Sequence, residues 1–154
     1  MNWFLDLITN PVLVTGLSSW FFAQVIKTIL YAIVNKKVDW GRLVGDGGMP
    51  SGHSATVTSV AVITGLICGF GSVEFAISGI LAIVVCHDAM GVRQETGKQA
   101  VLLNELVEII EILSKKDLPE VKLKEFVGHT PLQVYAGVLI GFLNAFLMYF
   151  AVFS

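Results

Sequence analysis

Three histidines stand where apolar runs begin or end. His53 lies in GDGGMPSGHSAT, His87 closes a run rich in isoleucine and valine, and His129 lies in FVGHTPLQVYAG. An imidazole can give or take a proton near neutral pH, and its neutral nitrogen is a nucleophile. In PSGHS a helix begins, so backbone N–H groups at Ser51 and Gly52, the Ser51 hydroxyl and the positive helix end converge on one spot. That is an anion site, and His53 beside it can deliver a proton to a leaving oxygen. The same residues read equally as a plain helix cap. His129 precedes Thr130 and Pro131, which fit the N-cap and first position of another helix, with Gln133 four residues on. A histidine so placed, oriented by a polar partner, can attack phosphorus; the plainer reading is an interface histidine capping with its ring. His87 reads equally as a satisfied helix-end residue.

Other polar residues lie within reach. Lys27 sits inside a long apolar run, with Gln24 one turn earlier and Tyr31 one turn later on the same face. A cation there is costly and marks a functional site by default; the alternative is snorkelling to the interface. In HDAMGVRQETGKQA, Asp88, Arg93 and Lys98 gather beside Gly91 and Gly97. Arg93 can clamp two phosphate oxygens, Lys98 can add charge, and Asp88 can orient a histidine or hold a cation such as Mg²⁺. Asp88, Arg93 and Glu95 also read as an interfacial ion-pair cluster. Gln99 and Asn104 follow on the next helix as supporting groups.

The elements that must position these residues are membrane helices. Of 154 residues, 55% are hydrophobic and only 14% charged, with a mean hydropathy of +0.75. A soluble domain carries about 25% charged residues, so the excess points to the bilayer. The net charge of −2 gives no argument for nucleic acid. Apolar runs over about 11–34, 54–70, 73–88 and 131–153 predict four spans in a single all-α membrane domain. GFGS joins the second and third as a tight hairpin whose small residues allow close packing. Residues 90–128 hold most of the charge. Within them, Leu102, Leu106, Ile109 and Leu113 recur at helical spacing against Glu105 and Glu108, an amphipathic helix at the interface. Residues 1–9 suggest a short interfacial helix with no cleavable leader, since Asp6 stands where a basic stretch is needed. Cys68 and Cys86, lacking metal-ligand spacing, read as small buried apolar residues. Lys36, Lys37, Arg42, Arg93, Lys98, Lys115, Lys116, Lys122 and Lys124 fall in loops two crossings apart, and the opposite side has no lysine or arginine. The positive-inside rule then puts these loops and all three histidines in the cytoplasm of a cell-membrane protein.

GGMPSGHSA, DAMGVRQETGKQA and GHTPLQVYAG, in that order, resemble the type 2 phosphatidic acid phosphatases and vanadium haloperoxidases, and most closely the small, divergent membrane branch of that superfamily. The resemblance implies phosphoryl transfer without a cofactor. His129 would attack phosphorus and form a phosphohistidine, and His53 would protonate the leaving alcohol. Ser51 and Gly52 would hold phosphate oxygens, with Arg93 and Lys27 neutralising charge. The superfamily's lysine followed by arginine-proline has no counterpart: Arg42 precedes Leu43. The arginine near the second histidine is missing too, Arg93 lying 36 residues before His129. Gln133 stands where an aspartate normally backs that histidine, so Asp88 would have to supply charge through space. Nothing suggests the dense set of cations that vanadate chemistry needs.

The leading expectation is a lipid phosphatase acting on an anionic lipid phosphomonoester or pyrophosphate at the cytoplasmic interface. Two alternatives remain: a non-catalytic binder of lipid phosphate, and a small transporter or channel subunit that uses Lys27 and the histidines for ions or protons. Four short helices could also pair as a homodimer.

Overall fold

The computed structural model describes residues 2–45, 47–114, 123 and 128–153, with Arg93, Glu111 and Ser114 described by backbone alone. The chain is an all-α membrane bundle. A short helix α1 (Trp3–Ile8) precedes α2 (Pro11–Asn35). Asn10 caps α2 by accepting from Val12 N and Leu13 N, both at 3.0 Å, with Pro11 at the first position. Lys36, at φ 51°, ends it in the left-handed region. A 3₁₀ turn (Trp40–Leu43) leads through the glycine loop into α3 (Gly52–Cys68). The GFGS turn then reverses the chain into α4 (Val73–Met90), capped by Ser72. After Gly91 comes α5 (Val92–Ser114), the expected amphipathic helix; α6 (Pro131–Met148) closes the bundle and ends in a π-helical turn at Tyr149–Phe153.

Length and composition mark Pro11–Asn35, Val73–Ile110 and Pro131–Phe153 as able to cross a membrane. The remaining expected span is α3, apolar but only 17 residues, about 26 Å at helical rise. It sits at the centre and packs on α2, α4 and α6. The bundle is built inside out relative to a soluble core. Ala23, Ala55, Ala61 and Ala145 are buried, whereas Ile77, Ile80 and Ile83 on α4 are exposed. Lipid is as apolar as a leucine side chain, so helices associate by close approach of small residues. Gly137 and Gly141 on α6 show this most clearly: a Cβ at Gly137 would strike Ser51 O, and one at Gly141 would strike Ala55 O. The cysteines depart from expectation. Cys68 is exposed and Cys86 only partly buried, because the end of α3 and the outer side of α4 face lipid rather than the core.

Several polar groups inside the bundle find partners within it, as hydrocarbon favours, whereas Thr15 Oγ1, Gln24 Oε1 and Asn144 Oδ1 have none among the described residues. Asn144 Nδ2 on α6 reaches Ser19 Oγ at 2.7 Å, Ser18 Oγ at 2.9 Å and Thr15 O at 3.3 Å on α2. Ser59 Oγ on α3 donates to the same Thr15 carbonyl at 3.4 Å. Replacing Asn144 with leucine removes the α2–α6 hydrogen bonds and leaves Ser19 buried without this partner. We expect a loss of about 1–2 kcal/mol, given the modest worth of such bonds in membranes, read as a lower midpoint in detergent-denaturation curves.

Candidate active site

Backbone bonds bring the two histidine motifs together. Ser51 N–H donates to Gln133 O at 3.0 Å, fixing the PSGH turn to the first turn of α6. His129 N–H donates to Ala89 O at 3.0 Å, fixing the GHTP turn to the end of α4. The His53 and His129 rings consequently lie with centroids 6.3 Å apart. His129 is buried, while His53, in the first turn of α3, is exposed.

A cavity of about 210 Å³ opens against both rings. Its walls are Trp20, Gln24 and Lys27 from α2, the loop residues Val44, Gly45 and Gly47, Gly52 and His53 from α3, and His129. Lys27 is only 4% exposed. Its Nζ donates to Gly45 O at 3.3 Å, and its stem lies against Gly48. The ammonium is therefore turned into the protein, not out to the surface as simple snorkelling requires. Gly47 and Gly48 have φ of 80° and 83°, a region that only glycine enters at little cost, so the loop can bend this tightly around the lysine.

Gln133 decides which nitrogen of His129 can react. Its Oε1 accepts from Thr130 N–H at 3.1 Å, and a backbone N–H can only donate, so the amide oxygen must face that way. The same oxygen lies 3.1 Å from His129 Nδ1. Nδ1 therefore carries the proton, and the lone pair of the neutral ring is on Nε2. A neutral amide thus performs the orienting half of a carboxylate's role. Were the site to turn over a phosphate ester, Gln133→Leu would lower that turnover about 10- to 100-fold, the usual scale for losing such a partner, while Gln133→Glu would retain or raise it. Steady-state release by the purified variants checks both.

Several expected residues have other partners. Ser51 is fully buried as the N-cap of α3: its Oγ accepts from Ser54 N at 3.3 Å and Ser54 Oγ at 3.0 Å, and its N–H is taken by Gln133 O. Its place is that of the helix cap, which leaves Gly52 as the member of that pair on the cavity wall. Lys98 is exposed and paired with Glu95 at 2.6 Å; it lines a second cavity of about 290 Å³ with Gln94, Gly97, Val101, Gly47, His129 and Gln133. Gln99 is exposed, and Gln94 is the α5 glutamine on that wall. Asn104 exchanges two hydrogen bonds with the Leu123 backbone, both at 3.0 Å, and so ties Leu123 to α5. Asp88 is half-buried on the last turn of α4, next to the Ala89 carbonyl that anchors His129. The Arg93 side chain lies outside the described residues. His87 is exposed. Among the described residues no cluster of three or more His, Cys, Asp or Glu is placed to hold a metal.

The family model described as the Divergent PAP2 family matches residues 8–144, which include the walls of both cavities. The chain belongs to the Divergent PAP2 family. It is 40% identical over 148 residues to the uncharacterized membrane protein YuiD of Bacillus subtilis (strain 168), covering 90% of this chain and 94% of that one. No solved structure matches. Among the described residues of this Divergent PAP2 chain, the cavity also holds Trp20, which the motifs do not mark. The signal was present: Trp20, Gln24 and Lys27 are spaced four and three apart, one stripe of a helix. A tryptophan in an apolar span carries no polarity contrast, so the sequence alone does not single it out.

Proposed function

We propose that the protein is a membrane-embedded lipid phosphatase that cleaves a phosphomonoester or pyrophosphate headgroup through a phosphohistidine on His129. The observation that carries this reading is the fixed His129 ring, with Nδ1 held by Gln133, facing His53 across a cavity walled by a buried lysine. His129 Nε2 attacks phosphorus, the bond to the leaving oxygen breaks, and His53 gives that oxygen its proton. Water then attacks phosphorus as His53 takes its proton, the phosphorus–nitrogen bond breaks with its electron pair returning to Nε2, and phosphate leaves. Lys27 and the Gly52 N–H offset the charge on the phosphoryl oxygens; such electrostatic positioning is most of what phosphoryl transfer requires. Asp88 and Lys98 add polar groups at the same end of the bundle. The lysine and arginine bias supports a cytoplasmic location for that end at the cell membrane, where an anionic lipid would present its headgroup while its tails stay in the bilayer.

A second reading is a binder of lipid phosphate without turnover. It is favoured by Gln133, which orients His129 but stabilises an imidazolium less than a carboxylate does. The test is phosphate release from a panel of lipid phosphates by the detergent-purified protein, beside His53→Ala and with or without EDTA. Release lost in the variant and unaffected by EDTA supports histidine chemistry. Release lost to EDTA moves the mechanism to a metal, with Asp88 as the first ligand to examine. Binding without release supports the second reading.

A further inference from the structure

We infer that Trp20 is a phosphate-contacting residue of this site, its indole N–H donating to a phosphoryl oxygen; this rests on the phosphatase reading above. Trp20 stands two turns from Lys27 on α2, about 10 Å along the helix, and lines the same cavity as Lys27, His53 and His129. Its N–H edge faces the first turn of α3. A Cβ at Gly52 would sit 3.4 Å from Trp20 Cδ1 and 3.7 Å from Nε1, so glycine there leaves the edge open.

Two polar groups on this wall await a partner. Trp20 is 39% exposed, and no described residue accepts from its Nε1; within a membrane span such an indole N–H gains from an acceptor. One turn along, Gln24 is 5% exposed, and its Oε1 has no donor among the described residues. A phosphate group supplies acceptor oxygens for the indole, and its protonated form supplies a hydroxyl for an amide oxygen. The charge balance points the same way. Among the described residues Lys27 is the one lysine or arginine on the cavity wall. Where the arginines of the wider superfamily are missing, a neutral donor fixed by packing can hold an oxygen.

The test uses the full-length protein in detergent with Trp3→Phe and Trp40→Phe, which leaves Trp20 as the sole indole. Inorganic phosphate should change its emission saturably. In the otherwise wild-type protein, Trp20→Phe should lower kcat/KM for lipid phosphate about 10- to 100-fold with little change in thermal midpoint, the scale of one hydrogen bond to a charged group. Loss of activity together with a fall in the midpoint would mark a packing role and overturn the inference. So would silent emission and unchanged kcat/KM in a protein that still releases phosphate, and the phosphatase reading would then stand. A wild-type protein that neither releases nor binds phosphate would overturn both.

Discussion

His129→Asn should lower phosphate release by about a thousand-fold or more while leaving the bundle folded and phosphate still able to bind. An attacking group that forms the covalent intermediate cannot be bypassed cheaply, and the loss of such a nucleophile is among the largest single effects in enzyme kinetics. The fold should survive, because what seats this residue is its backbone: His129 N–H on Ala89 O and Ser51 N–H on Gln133 O both remain. Binding should survive because Lys27, Gly52 and Trp20 are untouched. Release assays on lipid phosphate and emission titrations with inorganic phosphate separate the two effects. Equal loss of binding and turnover would mean that His129 only holds the ligand.

The second large effect concerns the fold. Gly137→Val should destabilise the bundle by about 3 kcal/mol or more and abolish activity with it. Overpacking a well-filled interior costs about 1–3 kcal/mol even where side chains can yield. Here the obstacle is backbone, since the new Cβ meets Ser51 O, with Ser54 Cβ at 3.1 Å and Ala55 N at 3.3 Å behind it. To relieve the clash α6 must move away from α3. That strains the Ser51–Gln133 hydrogen bond and pulls His129 from His53. The matched control is Gly79→Val on α4, where an added Cβ meets nothing within 4 Å. Denaturation curves and residual activity of the two variants should differ sharply; similar behaviour would show that the α3–α6 contact is not the one that holds the site together.

Much of this architecture was legible in the residues, for identifiable reasons. The four apolar helices follow from runs of hydrophobic residues, and their starts from Asn10–Pro11, Ser51, Ser72 and Thr130–Pro131, because caps and breakers act locally. The Gln133–His129 pair was visible as a four-residue spacing that a helix start turns into a contact. Lys27 and Gln24 stood out because charge and amide are rare in a span. What stayed hidden depends on tertiary contact. Gly137 and Gly141 differ little in hydropathy from their neighbours, so the α3–α6 crossing they permit left no polar mark. Ser51 read equally as cap and as ligand, and only the occupied N–H and hydroxyl separate the two. Gln94 and Gln99 sit on the same amphipathic helix, and which of them faces His129 depends on how α5 leaves Gly91. Asn144 is one polar residue in a long apolar run, and its three α2 partners follow only from how α6 packs.

The central claim is that His129 carries the phosphoryl group. The most direct measurement is to feed the detergent-purified protein a lipid phosphate labelled with radioactive phosphorus, quench in alkali and locate the label by peptide mapping. The account predicts label on the peptide containing His129, stable to alkali, lost in acid and absent in His129→Asn. Steady phosphate release with no label on that peptide would contradict it.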